Sequence, residues 1–198
     1  MNSKTTDTAA DKAPDHKPPE QPASAYFMEE RHDPNETHTL SVIVQNEPGV
    51  LARVIGLFSG RGYNIESLTV SEIEHHKQQS RITIVTTGTP MVIQQIKNQL
   101  DRMIPVYRVF DMTLTGHSIE RELAMVKVRS KGDPRVEALR LAEAFRARVI
   151  DATTESFVFE ITGGSDKIDQ FITLMIPLGL VEVSRTGVAA IARGPDGM

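Results

Sequence analysis

From Thr37 on, apolar and polar residues alternate. Leu40, Val42 and Val44 interleave with Thr39, Ser41, Ile43 and Gln45, the period of two that marks a strand. Asn46-Glu47-Pro48-Gly49 then changes the texture. Asn46 is placed to cap a helix and Pro48 to sit in its first turn. Val50, Leu51, Val54, Ile55 and Phe58 repeat at helical spacing, and Gly62 marks the end of that helix. A second strand is expected over residues 64–73, a polar hairpin loop over 74–80, and a third strand over 81–87 with Ile82 and Ile84 on one face. Pro90 opens a second helix whose stripe is Ile93, Ile96, Leu100 and Met103. Pro105 ends it, and residues 106–114 form a fourth strand. The order is βαββαβ, a ferredoxin-like unit.

The same order returns. Residues 122–129 read as a strand and Asp133-Pro134 as a helix start, with Ala138, Leu141, Ala142 and Phe145 on one face. Residues 149–153 and 157–161 read as short strands around a polar turn. Ile168, Phe171, Ile172 and Met175 line a further helix, which Pro177 and Gly179 stop. Residues 180–183 and 188–192 complete the pattern. The expectation is an α+β protein with two tandem ferredoxin-like domains, at 37–115 and 116–198, joined near Gly116. Each half is small, so association through sheet or helix faces is expected.

Composition adds an N-terminal tail to this picture. Residues 1–36 hold five of the 11 prolines, one Tyr, one Phe and no Val, Ile or Leu. Such a segment cannot bury enough apolar surface to offset its ordering entropy, so 1–36 is expected to be disordered. The net charge of −4 belongs to it as well. Of 26 acids and 22 bases, eight acids and four bases fall there, which leaves 18 of each for the body. A neutral body lacks the basic stripe that nucleic acid requires. No apolar run is long enough to span a membrane, and the N-terminus has no signal-like apolar core. With no cysteine, disulfides and zinc–thiolate sites are excluded. The cytoplasm is the expected compartment.

Catalytic chemistry is hard to find. The six histidines are scattered, and the pair His75-His76 reads as a solvated hairpin tip before a metal site. No Walker loop, nucleophile elbow or dinucleotide fingerprint is present. Glu120 and Glu122 alternate with Arg121 and read as an exposed strand edge, not an acid/base pair. No catalytic residue and no metal ligand is therefore assigned.

The stretch Asn46-Glu47-Pro48-Gly49-Val50-Leu51-Ala52-Arg53-Val54 resembles the first turn of ACT domains, which are amino-acid-binding regulatory modules. Its continuation, from Ile55-Gly56-Leu57-Phe58 through Gly62-Tyr63-Asn64-Ile65-Glu66-Ser67 to Val70, is similar to the small regulatory subunit of acetolactate synthase. So are Glu120-Arg121-Glu122-Leu123, Ile150-Asp151-Ala152-Thr153 and Arg185-Thr186-Gly187. The resemblance spans about residues 38–194.

It implies a non-catalytic subunit in branched-chain amino acid biosynthesis. Such a subunit activates a large catalytic partner, which carries thiamine diphosphate, Mg2+ and FAD, and confers feedback inhibition by valine or a related amino acid. This chain would bind no cofactor. The resemblance also implies a homodimer through the ACT domain, with effector at the interface: Asn46, Gly49, Val50 and Leu51 from one chain, Asn64 and Ile65 from the other. The residues are chemically apt. A helix start favours a carboxylate, Asn offers both donor and acceptor to a zwitterion, and Val50, Leu51 and Ile65 are aliphatic. On local grounds alone, Asn46 as a cap, Gly49 as a turn and Asn64 as a strand start are the competing readings. A free-standing amino-acid sensor and a small ferredoxin-like enzyme are the competing functions. The polar loop 75–81 is a candidate surface for the catalytic partner, or a plain solvated loop.

Overall fold

The computed structural model describes residues 34–74, 78–114 and 118–195. The expectations for residues 1–33, for His75-His76 and for the join at Gly116 lie outside these. The first half contains β1 (Glu36–Gln45), α1 (Val50–Arg61), β2 (Ser67–Glu74), β3 (Gln79–Gly88), α2 (Pro90–Asp101) and β4 (Val106–Asp111). The second contains β5 (Ser118–Arg129), α3 (Asp133–Ala144), β6 (Arg148–Ala152), β7 (Ser156–Gly163), α4 (Ser165–Met175), β8 (Leu180–Arg185) and β9 (Ala189–Ala192).

Each half forms an antiparallel sheet with the same strand order, β2-β3-β1-β4 and β6-β7-β5-β8. Both are ferredoxin-like units, and the cause is visible in the apolar pattern. On β1 the even positions Leu40, Val42 and Val44 are fully buried. They meet Ile82 and Ile84 of β3, Val54 and Phe58 of α1, and Ile93, Ile96 and Leu100 of α2. A separate core joins Ala124, Val126 and Val128 of β5 to Phe157, Phe159 and Ile161 of β7. Ala138 and Ala142 of α3 and Ile168, Phe171 and Met175 of α4 close over it. The small alanines let α3 lie close, and Phe171 stacks between Phe145 (5.4 Å) and Phe159 (6.1 Å).

Several expectations need correction, and among the bounds β4 ends at Asp111 instead of 114 and β5 starts at Ser118 instead of 122. Asn46 does not cap α1: the N-cap is Gly49, three residues later, and Pro48 precedes the helix instead of entering its first turn. Residues 64–66 form a loop and β2 starts only at Ser67, whereas β3 starts early, at Gln79. Glu122 is buried rather than exposed. The last strand does not extend the second sheet beyond β8. β9 instead pairs with the first four residues of β5, from Ser118↔Ala192 to Arg121↔Ala189.

That last departure determines how the two halves join. Register places Thr39, Ser41, Ile43, Arg81, Thr83, Val85, Ser67 and Thr69 on the first sheet's second face, away from its helices. Ser41, Ile43 and Thr83 are nonetheless buried. The chain entering β9 lies against this face. The Val188 N–H donates to Ser67 Oγ (3.0 Å), the Thr69 hydroxyl donates to the Val188 carbonyl (2.8 Å), and Arg81 Nη1 donates to the Ala190 carbonyl (3.3 Å).

Candidate functional site

At the start of α1, Gly49 is exposed with φ 88° and ψ −7°, and a Cβ there would meet nothing within 4 Å. An L side chain is disfavoured at such a φ, so the glycine lets the chain turn into the helix without covering its end. No side chain caps α1, and no acid stands in its first turn. The other helices differ: Thr89 caps α2, Asp133 opens α3, and Asp166 lies in the first turn of α4. The Val50 N–H donates to the Glu47 carbonyl (3.4 Å), and the N–H groups of Leu51 and Ala52 are left to a carboxylate or to water. Arg53 braces the loop, with one guanidinium nitrogen on Glu47 (2.5 Å) and the other on the Ile104 carbonyl (3.2 Å). Asn46 is exposed, and its backbone N–H donates to the Gln78 carbonyl (2.6 Å). Val50 is buried in the first core and Leu51 is half-buried against it. The Val50 side chain is therefore committed to packing, and Leu51 is the aliphatic group nearest the helix start with surface to offer.

The remaining candidates sit elsewhere. Asn64 is exposed, and its carbonyl accepts the Thr86 hydroxyl (2.6 Å). Ile65 packs against the core edge, and the Glu66 N–H donates to the Val85 carbonyl (2.8 Å). Asn46 is thus anchored at Gln78 and Asn64 at Thr86. Eight residues of extended strand separate those anchors by about 26 Å. The twelve residues of α1 separate Gly49 from Gly62 by about 18 Å. Within one chain the six residues form two groups at opposite ends of the sheet, too far apart to hold one amino acid.

A second feature escaped the sequence reading. A cleft of about 940 Å3 lies where the halves meet, bounded by Glu66, Ser67 and Leu68 on one side and by Arg185, Thr186 and Gly187 on the other. Arg185 organises its floor. Its Nε and Nη2 donate to the buried Glu122 (2.8 and 2.6 Å), and Nη1 donates to Asp169 (2.6 Å). These bonds, Glu122's first, hold the guanidinium above its already high ordinary pKa, so it stays charged. A signal for Glu122 existed, because it shares strand parity with the buried Ala124, Val126 and Val128. On β1, between two residues that line the cleft, His38 Nδ1 meets both Asp111 oxygens (3.1 and 3.0 Å), and Lys97 adds a 3.2 Å contact to Asp111. This cluster ties β1, β4 and α2 together. Among the described residues, no group of three or more His, Asp or Glu side chains is placed to hold a metal ion, and no helix is long and apolar enough to cross a membrane.

Comparison with known proteins adds family context. Residues 40–108 match a model of the ACT domain of the acetohydroxyacid synthase small subunit, and residues 121–194 match a model of the small subunit of acetolactate synthase. A probable acetolactate synthase small subunit from Archaeoglobus fulgidus is 45% identical over 157 residues, which is 79% of this chain and 97% of that protein. The acetolactate synthase small subunit of Mycolicibacterium smegmatis is 41% identical over 162 residues, or 82% of this chain and 94% of that one. Among solved structures, the small subunit from Thermotoga maritima superposes with a TM-score of 0.73 at 37% identity, covering 81% of this chain and 99% of that chain.

Proposed function

The chain belongs to the family of acetolactate synthase small subunits, and from that premise we propose that it activates a catalytic large subunit and makes it sensitive to valine, without catalysing the reaction itself. The observation that carries the effector reading is the uncapped, acid-free start of α1 behind Gly49. A valine carboxylate suits those N–H groups, Asn46 and Asn64 suit its ammonium, and Leu51 and Ile65 suit its side chain.

The distance between the two residue groups supports a site shared by two chains. Among the described residues β2 pairs with β3 on one side and with no strand on the other, and Val70 and Ile73 are exposed beside that edge. Pairing two such edges antiparallel about a two-fold axis sets the start of one β2 against the end of the other. Asn64 and Ile65 lead into the start of β2. Asn46 lies near its end, because Gln79 pairs with Glu74 and Gln78 holds Asn46. The two half-sites then face each other twice per dimer.

The test is reconstitution. The purified chain, given pyruvate with thiamine diphosphate, Mg2+ and FAD, is expected to form no acetolactate. Added to a catalytic subunit it is expected to raise the rate, and valine then to lower it. Turnover by the chain alone, or a reconstituted rate indifferent to valine, would overturn this reading.

A further inference from the structure

We infer that the segment Arg185–Val188 carries the effector signal from the first half of the chain to the second, by docking on β2 when effector is bound and releasing when it is not. This rests on the proposed effector site and adds the route by which that site is read.

β2 stands at three junctions at once. Its first residue, Ser67, follows Ile65 by two positions, so any closure of the Asn64–Glu66 loop on a ligand moves Ser67 directly. Its outer edge is the one proposed to face the second chain. Its second-face side chains are the ones that hold the segment: Ser67 Oγ accepts the Val188 N–H at 3.0 Å, and the Thr69 hydroxyl donates to the Val188 carbonyl at 2.8 Å.

The fit is close. Gly187 has φ 83°, and a Cβ on it would lie 2.7 Å from Ser67 Oγ and 2.9 Å from Thr69 Cγ2. A larger residue would take up a disfavoured φ and would crowd the Ser67 and Thr69 side chains. Small displacements at such a contact cannot be absorbed by compression, so they move the neighbouring element.

The segment is fixed at both ends to the second half. Upstream, Arg185 is held by Glu122 and Asp169. The Thr186 N–H donates to the Leu123 carbonyl (3.0 Å), and the Leu123 N–H returns a bond to the Thr186 hydroxyl (3.1 Å). Downstream, β9 pairs with Ser118–Arg121 of β5. Leu123 and Ser118 belong to one continuous strand, so a shift at Val188 reaches β5 along two routes. The cleft beside Glu66 and Thr186 leaves open volume into which the segment can move. Two arrangements, docked and released, are the bistable element that a coupling between sites requires.

The test compares the full chain with its double variant Ser67→Ala/Thr69→Val, each alone and reconstituted with the catalytic subunit. In the wild type, valine is expected to slow hydrogen exchange at residues 64–66 and also at 186–192, which lie outside the site. In the variant, exchange at 186–192 is expected to be fast with or without valine. Calorimetric valine affinity is expected to fall by about tenfold, the same factor by which docking and effector favour each other, while saturating valine still protects residues 64–66. Saturating valine is expected to leave most of the activity in place, and the half-inhibiting concentration to rise about tenfold, inside the usual range of allosteric coupling. Gly187→Ala, which pushes the segment away sterically, is expected to reproduce this and carries the test if the double variant does not fold. Wild-type protection at 64–66 without protection at 186–192 would overturn the transmission role while leaving the effector site standing. So would a variant that is inhibited like wild type. Absence of both valine heat and valine protection in the wild type would remove the effector site and this inference with it.

Discussion

Gly49 joins a left-handed backbone to an empty space where a side chain would go. Any L residue there costs about 1–3 kcal/mol of conformational strain, and Asp is among the residues that tolerate it best. Gly49→Asp is therefore expected to fold with a midpoint lower by a few degrees and to abolish valine inhibition. Its carboxylate occupies the place proposed for the effector's own and repels it. Gly49→Ala carries the same strain without the charge, and is expected to keep partial inhibition with similar activation of the catalytic subunit. Asn64→Ala is expected to weaken valine binding moderately, since a neutral hydrogen bond is worth about 0.5–1.5 kcal/mol net. Asn98→Ala, exposed on α2, is expected to change nothing. Calorimetry and inhibition curves on these four variants check the assignment, and normal valine response in Gly49→Asp would show that the site lies elsewhere.

Among the elements, β2 carries the most consequences. It sits at a sheet edge and exposes Val70 at 47% and Ile73 at 40%. An unpaired apolar edge invites pairing, and charge on an edge discourages it. Val70→Lys with Ile73→Glu is expected to convert a dimer to a monomer in sedimentation, with far-UV circular dichroism unchanged, and to remove valine binding because each half-site loses its complement. A variant that stays dimeric would assign the interface to another surface. The sheet's other edge, β4, exposes Tyr107 and is flanked by Ile104 and Leu114, so it is the next surface to probe.

At the scale of the whole chain, two helix-covered cores are joined by a third layer of contact. The first sheet's second face buries Ile43 and Val85 beneath no helix of its own. Val188 and Ala190, also buried, come from the other end of the sequence. The isolated segment 34–114 is expected to retain its secondary structure, because its helix-side core is complete. It is also expected to bind a hydrophobic dye and to unfold at lower temperature than the full chain, because that second face is bare. Equal dye binding by segment and full chain would mean that the face is covered from within the first half.

Much of this was legible in the sequence because the governing forces are local. The period of two at Leu40, Val42 and Val44 and the helical stripes at Ile93, Ile96 and Leu100 and at Ile168, Phe171 and Met175 are imposed by backbone geometry, and such patterns specified residues of both cores and the repeated order of elements. The parity of Glu122 with Ala124 and Val126 carried its burial too, although the neighbouring Glu120 and Arg121 disguised it as a surface. The start of α1 was displaced because two local preferences compete there: Asn46 can cap, but the left-handed turn at Gly49 delays the helix by three residues. The rest depended on tertiary structure. The pairing of β9 with Ser118–Arg121, the seating of Gly187 on Ser67, and the placement of Asn46 and Asn64 at opposite ends of one sheet all join residues distant in sequence. Such contacts are selected by how packed faces fit together, and no local pattern along the chain records that fit.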